Sequence, residues 1–253
     1  MARMGSKKHL KRLAAPAFWP ILRKEYKWVV KPIPGPHPIE RCLPLLIIVR
    51  DVLGYAETAR EARRIIAEGK IKVDGKIRRN YKFPVGLMDV IEIVPTNEFF
   101  RLVPHPVKFM TLVRISEEEA RFKLCRIENK TIVKGGHVQL NLHDGRNVLV
   151  KVRDPTNPVE DKYKTMGTLK LSIPEQEILE YIPFEKGKLA VTIGGRNVGR
   201  IGKILEIQQG IGRKRTLVTL EDLEGNKFQT TLDKIFIVGS DKPLVTLSEG
   251  VGG

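Results

Sequence analysis

The chain has 253 residues, 42% of them apolar, and carries 45 Lys and Arg against 29 Asp and Glu, a net charge of +16. The apolar share builds packed cores and excludes global disorder, and the length fits one large domain or two to three small ones. A chain this basic calls for a polyanion or an anionic membrane as partner, and its longest apolar run, Leu43–Val49, is far below the roughly 20 residues that span a bilayer.

Half of that charge sits in the first eighth of the chain. Residues 1–31 hold nine Lys and Arg against one Glu, interleaved with Phe18, Trp19, Tyr26 and Trp28. No apolar core of a secretory signal follows the basic start. A transit peptide would account for this segment but not for the basic patches downstream. The stretch "KPIPGPHP" (residues 31–38) reads as a stiff extended linker, because each Pro fixes its own φ and pushes its predecessor to extended geometry.

Residues 41–68 read as helical in two pieces, the first ending near Gly54. In the second, Thr58 and Glu61 have the spacing of a capping box. Ala59, Ala62, Ile65 and Ile66 share one face, Arg60, Arg63, Arg64 and Glu68 the other, and Gly69 supplies the stop. The period then changes to two. "KIKVDGKIRR" reads as a hairpin about Asp74-Gly75, and "DVIEIV" (89–94) as a further strand. Residues 99–173 show short β runs between turns at Lys134-Gly135-Gly136, His143-Asp144-Gly145 and Asp154-Pro155. Residues 183–238 repeat the style with five short strands, which suit a small SH3-like barrel.

Motifs for catalysis are missing. The five histidines have no zinc spacing, and no G-x-S-x-G is present. "VTIGGRNVGRIG" has misplaced glycines for a dinucleotide loop, and a β-patterned segment follows it. Ile204 stands where a Walker loop needs Ser or Thr. Cys42 and Cys125 read as buried free thiols, with a disulfide still open. The expectation is a non-enzyme with no metal, no cofactor and no small-molecule substrate.

Signals for nucleic acid are stronger. Residues 60–82 carry nine Lys and Arg against three acids, on a helix face and the hairpin beside it, an arrangement able to track phosphates from two strands. The alternative is a solvated face paired internally through Glu57–Arg60 and Glu61–Arg64. Around 193–203, glycines alternate with Arg196, Arg200 and Lys203; Gly lets a backbone approach a phosphate, or simply makes a tight turn.

Together these pieces resemble the archaeal and eukaryotic small-subunit ribosomal protein family S-four-e. "HLKRLAAPAFWPILRK" is similar to the family's N-terminal signature. "RDVLGYAETAREARRIIAEGKIKVDGK" with "VGLMDVIEI" resembles the S-four RNA-binding domain, with Asp74 where many such domains place Asn. "GKLAVTIGGRNVGRIGKILEI" resembles a KOW motif. The resemblance implies a structural ribosomal protein of the cytoplasm that binds small-subunit ribosomal RNA and meets neighbouring ribosomal proteins, away from membranes. The rival readings are a free RNA-binding or transcription-elongation factor, and an RNA-modifying enzyme.

The fold expected is α+β and multi-domain. Residues 1–38 form a basic arm and linker, 39–98 an S-four-type RNA-binding domain, 99–175 a central β domain, 176–240 a KOW-bearing SH3-like barrel, and 241–253 a tail. The arm is expected to order only on RNA. The residues expected to meet RNA are Lys7, Lys8, His9, Lys11, Arg12, Trp19, Arg23, Lys24 and Lys27 of the arm, with Arg60, Arg63 and Arg64 of the helix. Lys70, Lys72, Lys76, Arg78, Arg79 and Lys82 of the hairpin region join them, as do Gly195, Arg196, Asn197, Gly199, Arg200, Lys203, Arg213, Lys214 and Arg215 of the C-terminal unit.

Overall fold

A computed structural model describes residues 8–154, 159–210 and 215–247, so the expectations for Lys7, Arg213, Lys214, Pro155 and the last six residues lie outside the described residues. Three antiparallel sheets of five strands each carry the fold. No helix among the described residues is long and apolar enough to cross a membrane.

The arm is the first departure from expectation. Strand β1 (Leu10–Lys11) pairs with β2 (Trp28–Val29), and the loop between them folds onto the body. Trp19 is 3% exposed within the first core, and its indole N–H donates to the Cys42 carbonyl at 2.9 Å. Arg12 is buried with Glu25 at 3.0 Å, and Arg23 donates to the carbonyls of Ala15 (3.0 Å) and Pro16 (2.8 Å). The described part of the arm is therefore packed on the body, where the Trp19 indole, one Arg12 nitrogen and the Arg23 guanidinium find partners within the protein.

Residues 42–44 are extended, not helical: β3 (Cys42–Pro44) pairs with β6 (Pro84–Gly86). Pro44 forbids helix at its predecessor, so α1 (Leu45–Ile47) begins after it and runs into one π turn at Ile48–Val52. Helix α2 (Ala59–Ala67) carries the expected capping box between Thr58 and Glu61, buries Ala62 and Ile66, and stops before Gly69 at φ +79°. Strands β4 (Ile71–Val73) and β5 (Lys76–Ile77) form the expected hairpin, with both turn residues, Asp74 and Gly75, at positive φ. Beyond β7 (Val90–Ile93), this sheet continues through β8 (Glu98–His105) and β9 (Phe109–Ile115) in the order β5-β4-β7-β8-β9. It thus crosses the boundary expected at residue 98, since β7 and β8 pair along their length.

One turn of helix, α3 (Glu117–Ala120), leads to the second sheet. Its order is β12-β11-β10-β13-β14, with β10 (Phe122–Ile132), β11 (Val138–Leu142), β12 (Asn147–Val150), β13 (Thr168–Ser172) and β14 (Ile178–Ile182). β14 pairs with β13, so this sheet in turn crosses the expected boundary at 175. The third sheet has the five strands anticipated: β15 (Leu189–Thr192), β16 (Ile201–Gln208), β17 (Leu217–Glu221), β18 (Lys227–Thr231) and β19 (Ile235–Gly239), in the order β18-β17-β16-β15-β19. Leu87, Met88, Leu124, Val191, Phe236 and Val245 make one apolar cluster where the three units meet.

A buried ionic cluster lies at the same junction. Lys123 of β10 has no exposed surface. Its Nζ donates to Asp74 Oδ2 (3.0 Å), Asp144 Oδ2 (2.9 Å) and Asp89. Asp89 also accepts from the Gly86 N–H (2.8 Å) and from Nε2 of His37 in the Pro-rich linker (3.1 Å). Asp74 accepts from the Val90 N–H at 3.0 Å and from Arg146, whose Nε stands 3.1 Å from Asp144. Burial alone would lower the Lys123 pKa, but the three carboxylates outweigh it and hold the ammonium well above its ordinary value. Burial likewise works to raise Asp89 and Asp144, and the neighbouring cations more than reverse it, keeping both below the usual carboxylate range. At Asp74 burial outweighs Lys123 and Arg146 and raises the pKa, but the carboxylate is still more than a turn former: through those two cations it ties the first sheet to the second. Gly86 makes room for this, because a Cβ there would overlap the His37 ring.

Candidate nucleic-acid interface

Helix α2 presents its basic face outward because Ala62 and Ile66 claim the opposite side. Arg60, Arg63 and Arg64 are all exposed. The internal pairing considered as an alternative does not form: Glu61 is turned back into its capping box, and Arg64 pairs with Glu68 at 3.0 Å. Among the described residues no carboxylate lies within 4 Å of Arg60 or Arg63. The Arg63 guanidinium sits 4.6 Å from the Tyr81 ring centre, which holds it in place without neutralising it.

The hairpin beside α2 divides its cations. Lys76 and Arg79 are exposed. Lys72 is neutralised by Glu92 at 2.7 Å and Lys70 by Glu68 at 2.6 Å. Arg78 lies over Phe83 at 4.4 Å with its Nε buried, and Lys82 over Tyr81 at 5.5 Å. Lys72 and Arg78 are thus engaged in the fold, so the outward charge of the hairpin rests on Lys76 and Arg79.

From the arm, Lys8, His9, Lys11, Lys24 and Lys27 are exposed. Trp19 and Arg12 are not, and the expectation that they meet RNA is corrected by their burial at 3% and 5%. Arg23 is half-buried and engaged with backbone carbonyls. Trp28, by contrast, is 50% exposed, with the His9 ring 5.5 Å away and Lys27 Nζ 5.4 Å from its centre. Between the arm and α2 opens a cleft of about 1020 Å³ whose lining includes Tyr26, Trp28, Tyr81, Arg50, Arg63 and Lys82. Trp28, Tyr81 and Arg50 were not singled out for RNA from sequence. Exposure, which periodicity cannot assign in an irregular arm, separates Trp28 from Trp19.

In the third sheet the glycine-rich segment is the β15–β16 turn. Arg196, Arg200, Lys203 and Arg215 are exposed, and Asn197 is half-buried, its carbonyl accepting from Thr192. Gly199 stands at φ +79°, and a Cβ there would come 2.6 Å from Pro106 Cδ and 2.7 Å from Pro106 N. Its close approach is to the β8–β9 turn of the same chain, which corrects the expectation of an RNA contact at this glycine. Gly195, at φ +85°, is exposed and has only the flexible Lys234 side chain near it.

Cys125, His143 and Asp144 bring three ligand-type atoms within 4.8 Å of one another, but they do not fit a metal. Asp144 is bonded to Lys123, and His143 accepts from the Arg126 N–H at Nδ1 (3.2 Å) while Nε2 faces the Leu87 carbonyl (3.2 Å). Burial drives His143 down to about 3, so the ring is neutral, and it pushes the Cys125 thiol well up. Both cysteines are free, and burial raises Cys42 to about 12.

Comparison with known proteins matches three stretches. The family profile described as the RS4NT (NUC023) domain covers residues 4–40, that of the S4 domain residues 43–91, and that of Ribosomal family S4e residues 96–178. The small ribosomal subunit protein eS4 of Staphylothermus marinus is 68% identical over 250 residues, covering 99% of each chain. Its counterpart from Methanocaldococcus jannaschii is 52% identical over 250 residues, 98% of this chain and 100% of the relative. The crystal structure of 30S ribosomal protein S4e from Thermoplasma acidophilum superposes with a TM-score of 0.65 at 35% identity, over 79% of this chain and 96% of that one.

Proposed function

The chain belongs to ribosomal family S4e, and from that premise we propose which of its surfaces hold small-subunit ribosomal RNA. It is a structural component of the small ribosomal subunit, not an enzyme. The RNA surface we infer is continuous from the arm to the hairpin: Lys8, His9, Lys11, Lys24 and Lys27, then Arg60, Arg63 and Arg64, then Lys76 and Arg79, with Lys82 lining the cleft between arm and helix. The observation that carries it is the exposed face of α2, where Arg60 and Arg63 have no carboxylate partner among the described residues. Unneutralised guanidinium groups beside a basic hairpin suit closely spaced phosphates.

The third sheet is read as a KOW-bearing, SH3-like barrel offering a second basic patch through Arg196, Arg200, Lys203 and Arg215. Five short antiparallel strands and the Gly-rich β15–β16 turn support this. Apolar side chains exposed at or beside turns, Val107 (88%), Ile132 (81%) and Leu223 (80%), support contacts with neighbouring ribosomal proteins. The proposed location is the cytoplasm, within the ribosome.

The test is titration of a small-subunit ribosomal RNA transcript with the parent and with a variant carrying Arg60→Glu, Arg63→Glu and Arg64→Glu, over a range of salt. Affinity should fall, and the salt slope should drop by about one unit per lost phosphate contact while the melting temperature holds. Unchanged slope and affinity would reduce the face to solvated charge. Retention on small subunits through a high-salt wash separates a ribosomal component from a free factor.

A further inference from the structure

The cleft between the arm and α2 has a composition that phosphate binding alone does not require. Three aromatic rings line it, Tyr26, Trp28 and Tyr81, with Tyr26 and Trp28 64% and 50% exposed. Each has a cation over its ring: Arg12 at 5.2 Å from Tyr26, Lys27 at 5.4 Å from Trp28, and Arg63 at 4.6 Å from Tyr81. Trp28 is anchored by its β2 backbone, paired to Lys11, and by the tilted His9 ring 5.5 Å away. A cost-free exposed Trp is unusual in a soluble protein, since large aromatics are normally buried.

Resting on the RNA-binding reading above, we propose that this cleft receives an unpaired RNA nucleotide, with its base stacked on Trp28 and its phosphate met by the exposed Lys27 and Arg63. A double helix keeps its bases stacked on each other and offers side chains mainly phosphates and 2′-hydroxyls, so aromatic faces are of no use to it. An unpaired base offers a π-face to any ring that can reach it. The cleft volume, about 1020 Å³, leaves room for a base and its sugar. The outer face of α2 differs: among the described residues Arg60 and Arg64 have no ring beneath them, the pattern suited to backbone contacts, while Arg63 over Tyr81 borders both surfaces. The two surfaces would hold one RNA at a junction between paired and unpaired segments.

The chain has two tryptophans, and Trp19 is buried, so Trp28 is the fluorophore a ligand can reach. The probe is a single-stranded RNA of about ten nucleotides, within the length such platforms cover, compared with a duplex of equal length. The full chain is used throughout. Binding of the single strand should quench the parent's fluorescence. Trp28→Phe should abolish most of the quench while keeping affinity within about threefold, and Trp28→Ala should weaken single-strand binding about 5- to 100-fold, the range expected for one lost stack. Neither should alter duplex binding or the melting temperature. Equal single-strand affinity in the parent and Trp28→Ala, with the quench unchanged in Trp28→Phe, overturns the cleft proposal. It would leave the RNA reading intact provided the α2 reversal still weakens transcript binding. A parent that binds neither the single strand nor the transcript overturns both.

Discussion

Lys123→Met removes the one cation that touches all three buried carboxylates while nearly keeping the side chain's volume. Asp74, Asp89 and Asp144 have side chains 8%, 2% and 1% exposed, so water cannot replace the lost ammonium. Arg146 and His37 remain, each able to serve only part of the set. Breaking a buried pair by deleting one partner costs about 3–5 kcal/mol, and for a protein of this size that lowers the melting temperature by roughly 6–20 °C. The pH dependence has a definite sign. Asp89 and Asp144 sit below ordinary carboxylate values when folded, so in the parent their contribution is full above about pH 4 and is lost as pH falls through their folded values. In the variant the cation holding them down is gone, so their folded pKa values rise and protonation relieves the strain. The gap between parent and variant should therefore be widest near neutral pH and narrow on acidification. Thermal unfolding of both proteins across that range is the assay. A variant that melts within about 2 °C of the parent near neutral pH, or a gap that widens in acid, would refute the reasoning.

Trp19→Ala should cost about 3–5 kcal/mol and release the arm, so that trypsin cuts after Arg23, Lys24 or Lys27 before the body is digested; an unchanged cleavage rate would mean that β1 and β2 hold the arm without it. Gly195→Ala should cost about 1 kcal/mol through its positive φ alone, whereas Gly199→Ala should cost more, about 1–3 kcal/mol or beyond, because its Cβ also meets the Pro106 backbone. Equal melting temperatures for the two variants would sink the claim that the β15–β16 turn is seated on the β8–β9 turn.

Local rules were legible where they act within a few residues. The Thr58–Glu61 capping box, the Gly69 stop and the Asp74-Gly75 turn all stand as spacing predicts, and the β pattern after "VTIGG" is a strand. Long-range consequences were not. Asp74 and Asp144 read as turn residues and Asp89 as the start of a strand, because nothing local says that one lysine will face all three. A signal did exist at Lys123: it is in phase with Cys125 and Ile127 along β10, which puts a charge on a face that is otherwise buried. The sheet boundaries were missed for a related reason. β7 to β8 and β13 to β14 are short-loop hairpins, and a pause in the apolar pattern looks the same whether the next strand joins the old sheet or starts a new one. In the arm, charge density suggested disorder and gave no sign that the Trp19 indole would be packed in the first core.

The ionic junction also bears on the order in which a growing chain can fold. Its members are His37, Asp74, Asp89, Lys123, Asp144 and Arg146, spread over the first three-fifths of the sequence. A nascent chain that has released His37 must wait for Arg146, roughly 5–20 s at ordinary rates of synthesis. During that interval the first sheet can form its local hairpins, but Asp74 and Asp89 have no lysine, and the linker has no reason to stay in place. A segment with net charge +8 therefore emerges tethered to a half-closed fold, amid the RNA of the ribosome that is making it. The cation that closes the junction sits near the middle of the chain, so the linker at His37 is tied to the second sheet only once that sheet has begun to assemble, whereas Trp19 can seat the arm on the first core before then.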